Sequence, residues 1–124
     1  MARKAGAMKD LGKVGEDLAQ KYLEQKGYEV LERNYRYKKA EIDLIAQIAS
    51  KIIFVEVKAR SGIRYEHPSE AVTNAKIKRI VEAADAYILE KKLTLETRFD
   101  VITVIFFQQK YELEHFKDAF YPTL

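Results

Sequence analysis

Glu41-Ile-Asp-Leu-Ile45 and Phe54-Val-Glu-Val-Lys58 are two short apolar runs, each interrupted by charges two positions apart: Glu41 with Asp43, and Glu56 with Lys58. Their β-branched and aliphatic content reads as strand. Residues two apart on a strand project to one face. A hairpin joining the runs would gather three carboxylates and one ammonium on one side. With Asp43 opposite Glu56, Glu41 faces Lys58, Ile42 faces Val57, Leu44 faces Val55 and Ile45 faces Phe54. A loop of about four residues remains, an ordinary hairpin length. In this register Leu44, Val55 and Val57 form the packing face, and Ile45 and Phe54 lie below the charges. A slip of one residue would send Asp43 and Glu56 to opposite faces.

Like charges directly across a sheet destabilise it. A bound cation, Lys58 or protonation of one acid would relieve the repulsion. Mg²⁺ takes one or two protein carboxylates and completes its octahedron with water and phosphate oxygens. Bound metal lowers the pKa of a water and stabilises charge developing on phosphorus. Lys58 would orient or deprotonate the attacking water, or stabilise the pentavalent transition state. The same spacing also fits a half-exposed sheet face laced with ordinary ion pairs.

Outward from the hairpin, Leu11, Val14, Leu18, Tyr22 and Leu23 share one face of a helix over about 9–26, with Gly27 placed to cap it. Residues 28–37 read as a strand interrupted near Asn34, Lys38 and Lys39 as a turn, and 41–47 and 52–59 as the next two strands. After a loop over 60–68, Ser69 is an N-cap candidate with Glu70 in the first turn. The helix it opens runs to about Lys91, with Ile77, Ile80, Val81, Ala84 and Ile88 as its stripe. Residues 98–107 and 111–116 read as the last two strands. The order helix, three strands, helix, two strands predicts an α/β fold with a central mixed sheet flanked by helices. Residues 1–8 read as a flexible arm before a single domain over 9–124.

The 124 residues suffice for one core, and with nearly half of them hydrophobic and a third charged they fit a globular domain. No apolar run approaches the roughly 20 residues of a membrane span, and no secretory signal is visible at the N-terminus. The lack of cysteine excludes disulfides and thiolate sites and fits the cytoplasm. His67 and His115 form no ligand spacing, so a metal here would be Mg²⁺ or Mn²⁺ on oxygen donors. The net charge of +3 is mild. Its clustering at Lys9 and Lys13, at Arg33, Arg36, Lys38 and Lys39, at Lys58, Arg60 and Arg64, and at Lys76, Lys78 and Arg79 would suit a phosphate backbone or simply solvate the surface.

With Asp43 as first acid and Glu56-Val57-Lys58 as tripeptide, the chain resembles the PD-(D/E)XK nuclease superfamily. It is similar, more closely, to the YraN-like family of small bacterial proteins, which are themselves similar to archaeal Holliday-junction resolvases. Gly12 to Glu16, Gly27-Tyr28, Arg33 to Arg36, Glu41 to Ile45, Phe54 to Arg60, Pro68 to Val72, Lys76 to Arg79 and Arg98 to Asp100 carry the likeness in that order. The resemblance implies a restriction-endonuclease-like αβββαββ core. It implies Mg²⁺ or Mn²⁺ on Asp43, Glu56 and Glu16, with Lys58 as the remaining catalytic group. Where the family usually has glycine before Glu-Ile-Asp this chain has Ala40, ill suited to a positive φ.

Glu41 is a supporting partner of Lys58 in this reading, and Arg60, Lys76 and Arg79 are candidate phosphate contacts. Gly15 would let the helix approach the sheet and carry Glu16 towards Asp43. Tyr35 and Tyr37 suit core packing or base stacking, His67 a substrate contact, and Asp100 a structural role. The expected activity is metal-dependent endonucleolytic hydrolysis of structured or branched DNA. The alternatives are a nucleic-acid-binding module without efficient catalysis, and a homodimeric interaction domain pairing through the 98–107 strand edge.

Overall fold

Leu11–Gln25 forms helix α1. It ends where Gly27, at φ +94°, lets the Tyr28 amide turn back and donate to the Leu23 carbonyl at 3.0 Å. This is the left-handed glycine closure expected from the sequence. Strands β1 (Glu29–Tyr37), β2 (Ala40–Ile48) and β3 (Lys51–Ser61) follow, then helix α2 (Asn74–Lys91) and strands β4 (Glu96–Phe107) and β5 (Lys110–Phe116). This computed structural model describes residues 10–62 and 72–120. The N-terminal arm, His67, Ser69 and Glu70 lie outside the described residues.

The five strands stand side by side in chain order. All neighbours are antiparallel except β3 and β4, which run parallel because α2 crosses over between them. On one face α1 sets Ala19 and Leu23 against Leu44, Ile53, Val55 and Ile102. On the other, α2 sets Ile80, Ala84 and Tyr87 against Ile45, Ile52, Phe54 and Phe99. A strand covered on both faces reads as a continuous apolar run, and residues 52–57 of β3 are all buried. Each of its aliphatic side chains contributes roughly 1.5–3 kcal/mol by leaving water. Glu56 is the one charged residue inside that run.

The αβββαββ order and mixed sheet match the expectation, with four corrections. The β2–β3 loop is two residues, not four: Ile48 pairs with Lys51, and Ala49 adopts φ +51° to make the turn. The second helix does not run back to Ser69. Thr73 is extended and caps it, its hydroxyl accepting from the Lys76 amide at 3.2 Å. Ala40 needs no positive φ, because Lys38 takes φ +55° and Ala40 pairs with Tyr37 inside the core. Finally, β4 is no edge, being paired to β3 on one side and β5 on the other. Homodimer pairing through it is therefore blocked, and β1 and β5 are the outer strands.

Gly15 does bring α1 against β3. A Cβ placed there would lie 2.6 Å from the Ala59 Cβ. Overpacking costs about 1–3 kcal/mol, enough to outweigh the ~1 kcal/mol that alanine gains over glycine in a helix. Gly15→Ala should lower the urea midpoint, and adding Ala59→Gly should recover part of the loss. A single variant as stable as wild type would show that α1 has room to move.

Candidate functional site

The expected hairpin register is present from Ile48↔Lys51 to Leu44↔Val55, and the ladder stops there. Asp43 does not pair with Glu56 across the sheet. Its Oδ2 accepts instead from the Val57 backbone N–H at 2.8 Å, so a side chain takes over a donor that a backbone carbonyl would otherwise use. Side-chain alternation breaks at the same point. Ala40 and Ile42 pack on the α2 side, and Leu44 and Ala46 on the α1 side. The strands part at Asp43, and the expected Glu41–Lys58 and Ile42–Val57 pairs do not form. Glu41 faces Arg36 of β1 instead, at 3.6 Å.

Glu56 is 2% exposed. Its Oε2 meets the Lys76 Nζ at 2.5 Å, while its Oε1 is buried with no hydrogen-bond partner among the described residues. Buried carboxylate oxygens are normally satisfied, and the neighbouring Asp43 carboxyl lies within hydrogen-bonding reach of Glu56. Burial, and then the neighbouring Glu56 charge, push Asp43 up to about 8. Its bond to the Val57 amide acts the other way, and Glu16 adds to the rise. Burial works against the charge of Lys76, but the bond to Glu56 and the charges of Glu56, Asp43 and Glu41 outweigh it and raise its pKa.

An acid whose pKa is raised on folding binds a proton that the unfolded chain has released. Stability then falls as pH rises between the two values. For Asp43 that window runs from about 4, the unfolded value, to about 8. In EDTA the thermal midpoint should decline across it, and Asp43→Asn should flatten the decline. An unchanged slope in the variant would show that Asp43 does not carry it.

Glu16 lies on α1, close enough to act on Asp43, but β1 holds it. Asn34 Nδ2 donates to Glu16 Oε1 at 3.2 Å, and Arg33 lies 3.5 Å from the same oxygen. Arg33 also bridges to Asp17 at 2.7 Å. Asn34 sits at φ +54°, a conformation asparagine tolerates better than most residues. Among the described residues no three acidic or imidazole groups converge at ligand spacing. Asp43 and Glu56 come together, and Glu16 stands off at the rim. Gly12, Lys13, Glu16, Asp17, Arg33, Asn34 and Glu41 line an open depression of about 860 Å³ there. Lys58 shares the face of Glu56, since Val57 packs towards α1 and strand residues alternate. It is half-buried. Arg60 is half-buried and Arg79 exposed. Two oxygen donors, one of them orphaned, fit a hard divalent ion that takes one or two protein carboxylates.

Lys76 was legible only as a loose phosphate contact, because nothing in its spacing ties it to Glu56. Of a second cluster only the structural role of Asp100 was legible. On the α1 face, Asp100 is fully buried and accepts from Arg98, from the Asp118 amide at 3.1 Å and from His115 Nε2 at 2.7 Å. Tyr22 reaches the other His115 nitrogen at 3.0 Å, and Arg98 donates to the Tyr28 hydroxyl at 2.8 Å. The expected structural role of Asp100 is apt, since this ring ties α1, β4 and β5 together. Tyr35 packs edge-on to Tyr87 at 5.1 Å, so its use is in the core.

Among the described residues no helix is long and apolar enough to cross a membrane. Residues 15–104 match the uncharacterised protein family UPF0102. A UPF0102 protein of Flavobacterium psychrophilum is 47% identical over 112 residues, covering 90% of this chain and 94% of its own. One from Bacteroides thetaiotaomicron is 44% identical over 115 residues, covering 93% and 95%. One from Clostridium kluyveri is 47% identical over 115 residues, covering 90% and 94%. Likeness of this extent, on an αβββαββ frame with the motif acids at its centre, places the chain in UPF0102, the YraN-like family.

Proposed function

We propose that the protein is a metal-dependent endonuclease that hydrolyses phosphodiesters in structured or branched DNA. The observation that carries this reading is Glu56, a carboxylate buried in the sheet with Oε1 unpartnered and with Asp43 beside it, which its charge helps to hold protonated. Such burial is costly unless something repays it, and perturbed acids side by side mark functional sites. Glu56 and Asp43 would hold Mg²⁺ or Mn²⁺, with Glu16 completing the set from the rim. The ion, when bound, supplies a Lewis acid at the scissile phosphate and acidifies a water. Lys58, on the face of Glu56, orients that water or takes its proton. Arg60, Lys76 and Arg79 would hold flanking phosphates.

Purified protein should cut branched DNA when Mg²⁺ or Mn²⁺ is added. Lys58→Ala should slow cutting by about 10²- to 10⁴-fold, the usual worth of a general acid or base. Cutting that ignores chelator, or is indifferent to Lys58→Ala, would contradict the assignment.

One observation favours a second reading, a nucleic-acid-binding module without efficient catalysis: Glu16 is engaged by Arg33 and Asn34 rather than turned onto Asp43. That reading expects salt-sensitive DNA affinity unchanged by Asp43→Ala, with no turnover under any metal.

A further inference from the structure

We infer that Lys76 is a built-in counter-cation: it neutralises Glu56 while the acid pair is empty, and a divalent ion displaces it to the rim, where it engages a substrate phosphate. The inference rests on the metal-binding reading above and deepens it. Among the described residues Lys76 Nζ bridges to Glu56, at 2.5 Å from Oε2. Without it a carboxylate that is 2% exposed would stand uncompensated, which is strongly destabilising. Placement in the helix adds a separate argument. Lys76 lies in the first turn of α2, its amide capped by Thr73. The positive end of the helix dipole disfavours a cation there, so helix formation gives no reason for a lysine at this place. Glu56 below it does.

The geometry also allows exchange. The Lys76 side chain is 39% exposed while that of Glu56 is 2% exposed, so the ammonium reaches the acid from the solvent side on a flexible four-carbon stem. An ammonium and a divalent ion compete for the same carboxylate. Released, the ammonium stays tethered to α2 at the mouth of the site, within reach of the strand being held there.

Lys76→Met and Lys76→Gln, the second keeping a hydrogen-bond donor without the charge, test this by calorimetric titration with Mn²⁺ in the absence of DNA. Each should bind Mn²⁺ at least about tenfold more tightly than wild type (~1.4 kcal/mol) and melt at a lower temperature in EDTA, while binding branched DNA more weakly. Lys76→Arg should behave as wild type. If wild type binds Mn²⁺ and neither neutral variant binds it more tightly, Lys76 is not a competitor and the inference falls alone. If wild type and both neutral variants bind no Mn²⁺, the metal-binding reading falls with it.

Discussion

Glu56→Gln is expected to cut DNA about a thousandfold more slowly than wild type while folding at least as stably. The amide keeps the shape of the side chain but is a poor ligand for a hard cation. Losing the ion removes several kcal/mol of transition-state charge stabilisation, and ~4 kcal/mol corresponds to three orders of magnitude in rate. Stability should move the other way. The variant removes a buried charge whose Oε1 has no partner and which helps to push up Asp43. Lys76 loses its partner but can turn to water. Activity at the expense of stability is the usual signature of a functional site. Single-turnover rates and urea midpoints on the same preparations read both quantities. A variant that is both slower and markedly less stable would make Glu56 a structural ion-pair partner instead.

Asp100→Ala should do the reverse, costing the fold and sparing the chemistry of whatever remains folded. The Asp100 carboxylate takes bonds from Arg98, His115 and the Asp118 amide with no exposure to water. Removing it strands a buried guanidinium and a buried imidazole. Breaking such a network costs about 3–5 kcal/mol, a large share of the 5–15 kcal/mol typical of a domain, and should lower the thermal midpoint by roughly 10 °C or more. Burial alone would raise the Asp100 pKa, but the bonds from His115, Arg98 and Asp118 overcome it and leave it below the ordinary value. A depressed acid contributes stability above its unfolded pKa and loses it as pH falls through the folded one. Wild type should therefore weaken in strong acid through Asp100, and Asp100→Ala should lack that acid limb. A midpoint within a few degrees of wild type would show that the ring of tyrosines, arginine and histidine holds without its centre.

The sequence was most legible where one period dominated. Placing Asp43 opposite Glu56 set the register on paper, and Leu44↔Val55 and Ile45↔Phe54 pair as that register requires, although Asp43 and Glu56 themselves do not. It failed where side chains replaced backbone. Asp43 is short enough to reach the Val57 amide, and this single bond ends the ladder and reverses the alternation, which periodicity cannot show. Gly15 was legible because only glycine suits so close a helix–strand approach. Lys76 and the Asp100 ring were not, because their contacts join residues distant in the chain and leave no spacing signature. The start of α2 was misplaced for a local reason: Thr73 can cap as well as serine, and it caps the helix at Asn74.

Everything functional rests on Asp43 and Glu56 forming one cation site. The most direct measurement follows the paramagnetic signal of free Mn²⁺ during titration of wild type beside Asp43→Ala, at pH 8.5, above the Asp43 value of about 8. Wild type should remove the signal saturably and Asp43→Ala should not. Equal uptake by both proteins, or uptake by neither, would contradict the site.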